Sequence, residues 1–267
     1  MATRSTASNR EFDLWMQENS LTLHLASLQS HNTPSLPFTG SLPRQSLLDS
    51  LFRAMSPPHL SPTPLSALRI SRHQIPSFNL IPNTSIPPHH PLLIYHSVFP
   101  SSSYSSSPSS SSATSPPPPP PPPPVTACSL ESYLNSILNG IKPSWRYTMY
   151  SVDHFHSTSH ELLSITSGSA RCSFGHLDNP GHIEELLKKG DVVLIPAGVS
   201  HRLLEEVEPG FQMVGSYPEG CSWDMCHGTE DEKGKIEKIG ELPWLKTDPI
   251  YGDDGPAMHV DRDEGKS

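Results

Sequence analysis

From Trp145 onward the chain alternates with a period of two, and this limits its fold more than any other feature. Trp145, Tyr147 and Met149 alternate with Arg146, Thr148 and Tyr150, and Ala170, Cys172 and Phe174 alternate with Arg171 and Ser173. Successive side chains on a strand point to opposite faces, so the pattern suits half-buried β-structure and not helix. Glu161–Thr166, Val192–Ile195 and Phe211–Ser216 are further strand-like runs. Ser167-Gly168, Asn179-Pro180-Gly181, Pro196-Ala197-Gly198 and Pro209-Gly210 separate them as turns. Short strands at close, regular spacing predict an all-β sandwich or barrel. Residues 183–189 have helical composition, but their context makes an irregular strand the expectation. Upstream, Pro91–Phe99 reads as a buried strand, after a turn marked by Asn83, Pro87 and Pro88. One clear helix precedes Trp145: Ser129 can cap it, Leu130, Tyr133, Leu134, Ile137 and Leu138 form one stripe, and Gly140 stops it.

The rest of the chain cannot all be packed. Only 34% of residues are hydrophobic and 17% charged, with 31 prolines among 267 residues. Residues 1–69 read as a low-complexity, disordered arm, with transient helicity at Arg10–Leu28 and Gln45–Met55. A single domain is expected over 70–257, interrupted by a Ser/Pro-rich insertion at 100–125, with 258–267 frayed and fraying beginning near Asp253. The unbroken run Pro116–Pro124 is expected in polyproline II, about 28 Å long at ~3.1 Å per residue. It reads as a stiff surface insertion, since no flanking basic residue would orient it. Docking into an SH3, WW or profilin-like groove is the alternative.

Charge narrows the partners. Residues 126–267 carry 12 Lys and Arg against 23 Asp and Glu, which argues against nucleic acid or an anionic membrane. No apolar run approaches the ~20 residues of a membrane span, and the N-terminus lacks a signal-peptide core. Four cysteines without CxxC spacing suit reduced thiols, so the cytoplasm is the expected compartment. A small-molecule ligand is the expected partner, with a homodimer as the assembly left open.

The chemistry is concentrated in two short runs. In His154-Phe155-His156, residues two apart on a strand present both imidazoles to one face. Glu161 follows, and His201 comes after a Pro-Ala-Gly turn able to return it to the same pocket. Neutral imidazoles plus a carboxylate suit iron, manganese, nickel, zinc or copper. His160, adjacent to Glu161, points away on a strand and reads as a surface or supporting histidine. Tyr147, Met149, Phe174 and His160 can line the pocket, though core packing explains the first three equally well. Cys221 and Cys226-His227 fit no usual zinc spacing. Glu205 and Glu206 could serve as a base or simply face solvent.

Together the runs resemble the two motifs of the cupin superfamily (RmlC-like). The first is HxH, four residues, Glu, six residues, Gly, here His154 to Gly168. The second is Gly, five residues, Pro-x-Gly, two residues, His, here Gly190 to His201. Thr148 and Glu205 depart from the motif edges, and neither is a ligand position. With Gly215-Ser216-Tyr217-Pro218-Glu219-Gly220 and Asp248-Pro249-Ile250-Tyr251-Gly252, the pattern is similar to the YjlB-type small single-domain cupins. The resemblance implies a double-stranded β-helix (a jelly-roll barrel) with one or two flanking helices. It also implies one divalent transition metal on His154, His156, Glu161 and His201. The expected function is a metal-binding cupin: a metal-dependent oxygenase, isomerase or lyase acting on a small oxygen-rich molecule, or a non-catalytic binder of a small ligand or metal. An interaction protein working through Pro116–Pro124 is the third reading.

Overall fold

Among the described residues, seven strands form one antiparallel sheet: β1 (Arg69–His73), β2 (Leu92–His96), β3 (Ile141–Tyr147), β4 (Glu161–Phe174), β5 (Ile183–Lys188), β6 (Val192–Ile195) and β7 (His201–Pro218). The computed structural model describes residues 60–100, 124–137 and 139–260. The helices expected at Arg10–Leu28 and Gln45–Met55 lie outside them, as does the proline run up to Pro123.

The spatial order is β1-β2-β6-β4-β7-β3, with β5 paired to β4. The first part of β4 pairs with β6, from Glu161↔Ile195 to Ser164↔Val192, and its second part with β5, from Ser169↔Lys188 to Phe174↔Ile183. Along its other edge β4 pairs with β7, with register shifts between Ile165 and Ser167 and again up to Cys172. Such bulges bend a strand pair and increase its twist. Gly168 sits within the irregular stretch at φ +64°, where a Cβ would fall 2.7 Å from the Phe211 nitrogen. Only glycine fits that approach. The sheet therefore curls into a half-barrel, the all-β jelly roll that the cupin resemblance implies.

Both faces of the sheet are apolar, which explains the near-continuous hydrophobic runs of β2 and β6. Leu92, Ile94, Leu163, Ile165, Val193, Ile195 and Met213 belong to one core cluster, together with Met149, Cys172 and Phe174. Leu93, Tyr95, Leu162, Val192, Leu194 and Val214 face a second cluster, covered by helix α1 (Ala127–Ser136) through Leu130 and Leu134. Each fully buried Leu or Ile contributes about 1.5–3 kcal/mol relative to exposure. Residues 183–188 are a strand, as the context argued.

Three expectations need correction. Thr126, not Ser129, is the N-cap of α1. Ser129 occupies the third helical position and returns the reciprocal bond, so cap and partner are exchanged. Order also begins before residue 70, because Leu60 and Leu68 pack on the core and β1 starts at Arg69. Residues 253–260 are held, with Pro256 and Ala257 buried. The cause is Asp248, fully buried, whose carboxylate accepts from Tyr95 Oη (2.7 Å) and from the backbone nitrogens of Ile250, Tyr251 and Ala257 (2.9 Å each). Trp244 and Leu245 fold back onto the second cluster. Among the described residues, no helix is long and apolar enough to cross a membrane.

Candidate metal centre

The two histidines of the first run lie on an extended segment between β3 and β4, outside any regular strand. Backbone bridges hold it on both sides: His154 pairs with His201, and Phe155 with Cys226. The extended geometry still alternates faces as the sequence predicts. Phe155, fully buried, packs against Ile81, Ala197, Cys226 and Ile239, while His154 and His156 turn the other way. His201 opens β7 directly after the Pro-Ala-Gly turn, and Glu161 opens β4.

Three imidazoles thus converge. The ring centroids of His154 and His201 are 4.2 Å apart, those of His156 and His201 5.4 Å, and those of His154 and His156 5.7 Å. One nitrogen from each ring lies within 4.8 Å of the other two. All four side chains are buried, the histidines 2–6% exposed and Glu161 2%.

The hydrogen bonds settle the proton positions. His154 Nδ1 lies 2.9 Å from the Val152 carbonyl and His201 Nδ1 3.0 Å from that of Val199. His156 Nδ1 meets the carbonyl of Asp224. A carbonyl can only accept, so each Nδ1 carries a hydrogen and donates, and in the neutral form of each ring Nε2 keeps a lone pair. Glu161 Oε2 lies 3.3 Å from His156 Nε2 and 3.4 Å from His201 Nε2, and has no other hydrogen-bond partner. Its Oε1 accepts from Tyr217 Oη.

Burial lowers the pKa of His154 well below the usual histidine value, reinforced by the other two rings, and pushes His201 down to about 4. His156 goes the other way: burial opposes its charge, but the Glu161 carboxylate outweighs that and raises it. Glu161 is lowered despite burial, by His156, His201 and the Tyr217 hydroxyl. The three imidazoles converge closely enough to hold a divalent cation, and Glu161, which is not part of that cluster, lies beside two of them with Oε2 unpaired. Among the described residues, these histidines form the one cluster of His, Cys, Asp or Glu with ligand spacing.

The remaining candidates are distributed differently. His160 stays out of the cluster, as predicted, but it is buried and not on the surface. Its Nδ1 accepts from the Ala197 N–H (3.0 Å), its Nε2 donates to the Pro243 carbonyl (3.2 Å), and it meets Trp244 edge-on. It lines a separate cavity of about 560 Å³ with Trp244, Leu242 and Leu245. Met149 and Phe174 are core residues of the inner cluster, and Tyr147 is 37% exposed. Glu205 and Glu206 face solvent, where Glu205 meets Arg171 at 3.4 Å and Glu206 accepts from the Gly210 N–H, so neither is placed as a base. Cys221 is exposed and Cys226 buried, and Cys226 Sγ contacts Asp224.

Periodicity missed several supporting residues. Tyr150 stands edge-on to His154 at 5.3 Å, and Trp223 to His156 at 5.9 Å. Asp224 orients His156 through its carbonyl, and its own carboxylate accepts from the Ser157 N–H and hydroxyl, each at 2.7 Å. Against the cost of burial, the Ser157 bonds, with Cys226 and Lys235, pull the Asp224 pKa down to about 2. Tyr217 was visible only as part of a motif, because its role depends on the register of β7 beside β4.

No family model matches the chain. It is similar to the "uncharacterized protein YjlB" of Bacillus subtilis, 32% identical over 123 residues, which cover 46% of this chain and 72% of that protein. Among solved structures it is similar to pumpkin seed globulin at 17% identity and a TM-score of 0.26, over 33% of this chain and 29% of that one. It is also similar to the vicilin of Solanum melongena at 19% identity and a TM-score of 0.25, over 43% and 31%. The chain therefore spans about a third of the length of these seed proteins.

Proposed function

Since the chain belongs to the same family as Bacillus subtilis YjlB, we propose that this family's chain is a metal-binding protein that presents one divalent transition ion to a small, oxygen-rich molecule. His154, His156 and His201 bind through Nε2 and Glu161 through Oε2. The observation that supports this most directly is the shared direction of the three rings: every Nδ1 donates to a main-chain carbonyl, which turns the three Nε2 atoms toward one another, two of them beside a buried carboxylate oxygen. Carbonyl partners of this kind fix ring orientation and raise ligand basicity.

Three neutral imidazoles and one carboxylate leave a divalent ion with a net charge of about +1. Such a site favours an anionic or easily deprotonated oxygen ligand: an acid, an enol or a diol. When bound, the ion supplies Lewis acidity and, if it is iron or manganese, redox capacity. The protein contributes the dry pocket, fixed imidazoles and aromatic walls from Tyr150 and Trp223.

The test is metal analysis of the purified protein beside His156→Ala and Glu161→Ala, together with oxygen-uptake and product screens over small acids and phenols. Wild type should hold about one ion per chain and both variants should lose it. A metal-free wild type, or unchanged metal content in the variants, would overturn the reading. Turnover by the loaded protein would establish an enzyme, whereas saturable ligand binding without turnover would establish a binding module.

A further inference from the structure

Glu161 has two oxygens, and the structure treats them differently. Oε2 faces the His156 and His201 nitrogens and has no other hydrogen-bond partner, whereas Oε1 is taken up by Tyr217. The Tyr217 hydroxyl in turn lies 2.9 Å from Trp145 Nε1. An indole nitrogen only donates and a carboxylate only accepts, so the direction of both bonds is determined: Trp145 donates to Tyr217, and Tyr217 donates its single proton to Glu161. Tyr217 is 3% exposed, so solvent does not compete for that proton.

The backbone builds this relay deliberately. Tyr217 and Gly215 lie two apart on β7, and Gly215 pairs with Trp145 across a register shift in β3. A Cβ on Gly215 would fall 2.0–2.5 Å from three atoms of the indole. The ring therefore rests on bare backbone, which brings its N–H to the Tyr217 oxygen. Nothing in core packing requires that glycine, tryptophan and tyrosine combine to bond one oxygen of a ligand carboxylate.

We propose that Tyr217, oriented by Trp145 over Gly215, restricts Glu161 to one metal-facing oxygen and so sets the number of positions the ion keeps open. The proposal rests on the metal reading above. With a one-oxygen carboxylate and three imidazoles, a six-coordinate ion would retain about two open positions, as many as a chelating ligand needs; a carboxylate bound through both oxygens would leave about one. Tyr217 is thus a positioning residue that decides whether a two-pronged ligand can enter.

The experiment loads wild type, Tyr217→Phe and Trp145→Phe with cobalt(II) and follows the visible absorption bands, with azide and oxalate as one- and two-pronged probes. In Tyr217→Phe the freed Oε1 closes onto the ion, so the cobalt bands shift and oxalate affinity falls about 10–100-fold, the usual range for losing a supporting partner. Azide affinity should change less. Trp145→Phe should move both readouts in the same direction by a smaller factor, and it carries the test if Tyr217→Phe does not fold. A merely structural tyrosine would lower Tm while leaving the bands and the oxalate-to-azide ratio unchanged, and that result would overturn the proposal. A wild type that binds no cobalt would overturn the metal reading itself, whereas a wild type that binds cobalt beside spectroscopically identical variants would overturn the positioning role alone.

Discussion

Replacing Glu161 with glutamine should strengthen the chelator-treated protein while abolishing its response to metal. Above the pKa of His156, Glu161 Oε2 is a buried acceptor 3.3 Å and 3.4 Å from two lone pairs, with no donor of its own. Glutamine has the same shape. Its amide nitrogen can take the place of Oε2 and donate to both rings, while its carbonyl keeps the bond from Tyr217. Relieving one unsatisfied buried acceptor is worth about 1–3 kcal/mol. At roughly 2–4 °C per kcal/mol for a domain of this size, Tm should rise by roughly 2–12 °C. Metal acts in the opposite sense: at 100 times its Kd it stabilises wild type by about 2.7 kcal/mol. The variant, with its carboxylate charge gone and its lone pairs occupied, should gain almost nothing. Thermal unfolding of both proteins at an alkaline pH above the raised pKa of His156, with chelator and then with zinc or manganese, gives four melting curves. The order should reverse: variant above wild type in chelator, wild type above variant in metal. A variant that melts below wild type in chelator would refute the unsatisfied-acceptor argument, and one that gains as much from metal would refute the ligand role of Glu161.

Two further outcomes follow from the same geometry. Metal affinity should fall about tenfold per pH unit once the pH drops below the raised pKa of His156, since one proton must then leave for each ion bound. Toward pH about 4 the fall should steepen as His201 also takes a proton. Because His201 is neutral when folded but ionises near 6.5 when unfolded, its contribution to stability is present above that value and is lost as the pH falls toward about 4. Calorimetric titration across this range checks the slope, and a flat affinity from neutral to mildly acid pH would contradict it. Elsewhere, Asp248→Ala strands a tyrosine hydroxyl and three backbone N–H groups, and should cost about 3 kcal/mol or more in urea unfolding. Its folded fraction should still bind metal with wild-type affinity.

How much of this was legible in the sequence depends on the length scale of each interaction. Strand alternation is local, so β4, β6 and β7 could be read directly, whereas the helix-like Ile183–Lys188 could be placed as a strand only from its context. The pairing of His154 with His156 needed only an extended backbone, and the structure supplies that through bridges to His201 and Cys226. The boundaries failed where a distant partner decided the outcome. Residues 253–260 have the composition of a loose tail, yet Asp248 ties them to Tyr95, which lies more than 150 residues earlier in the chain. Glu205 and Glu206 follow the last ligand closely in sequence, but β7 carries them to the solvent face beside Arg171. The role of Tyr217 is hidden for the same physical cause. A tyrosine on a strand reads as core, and only the register of β3 against β7 shows that its hydroxyl lies between an indole N–H and the Glu161 carboxylate. On the proposed metal reading, ligand identity is therefore written in local spacing, whereas the openness of a bound ion to a second molecule depends on long-range strand register. Substitutions at Gly215, Trp145 or Tyr217 should change what the site admits while both motifs remain intact.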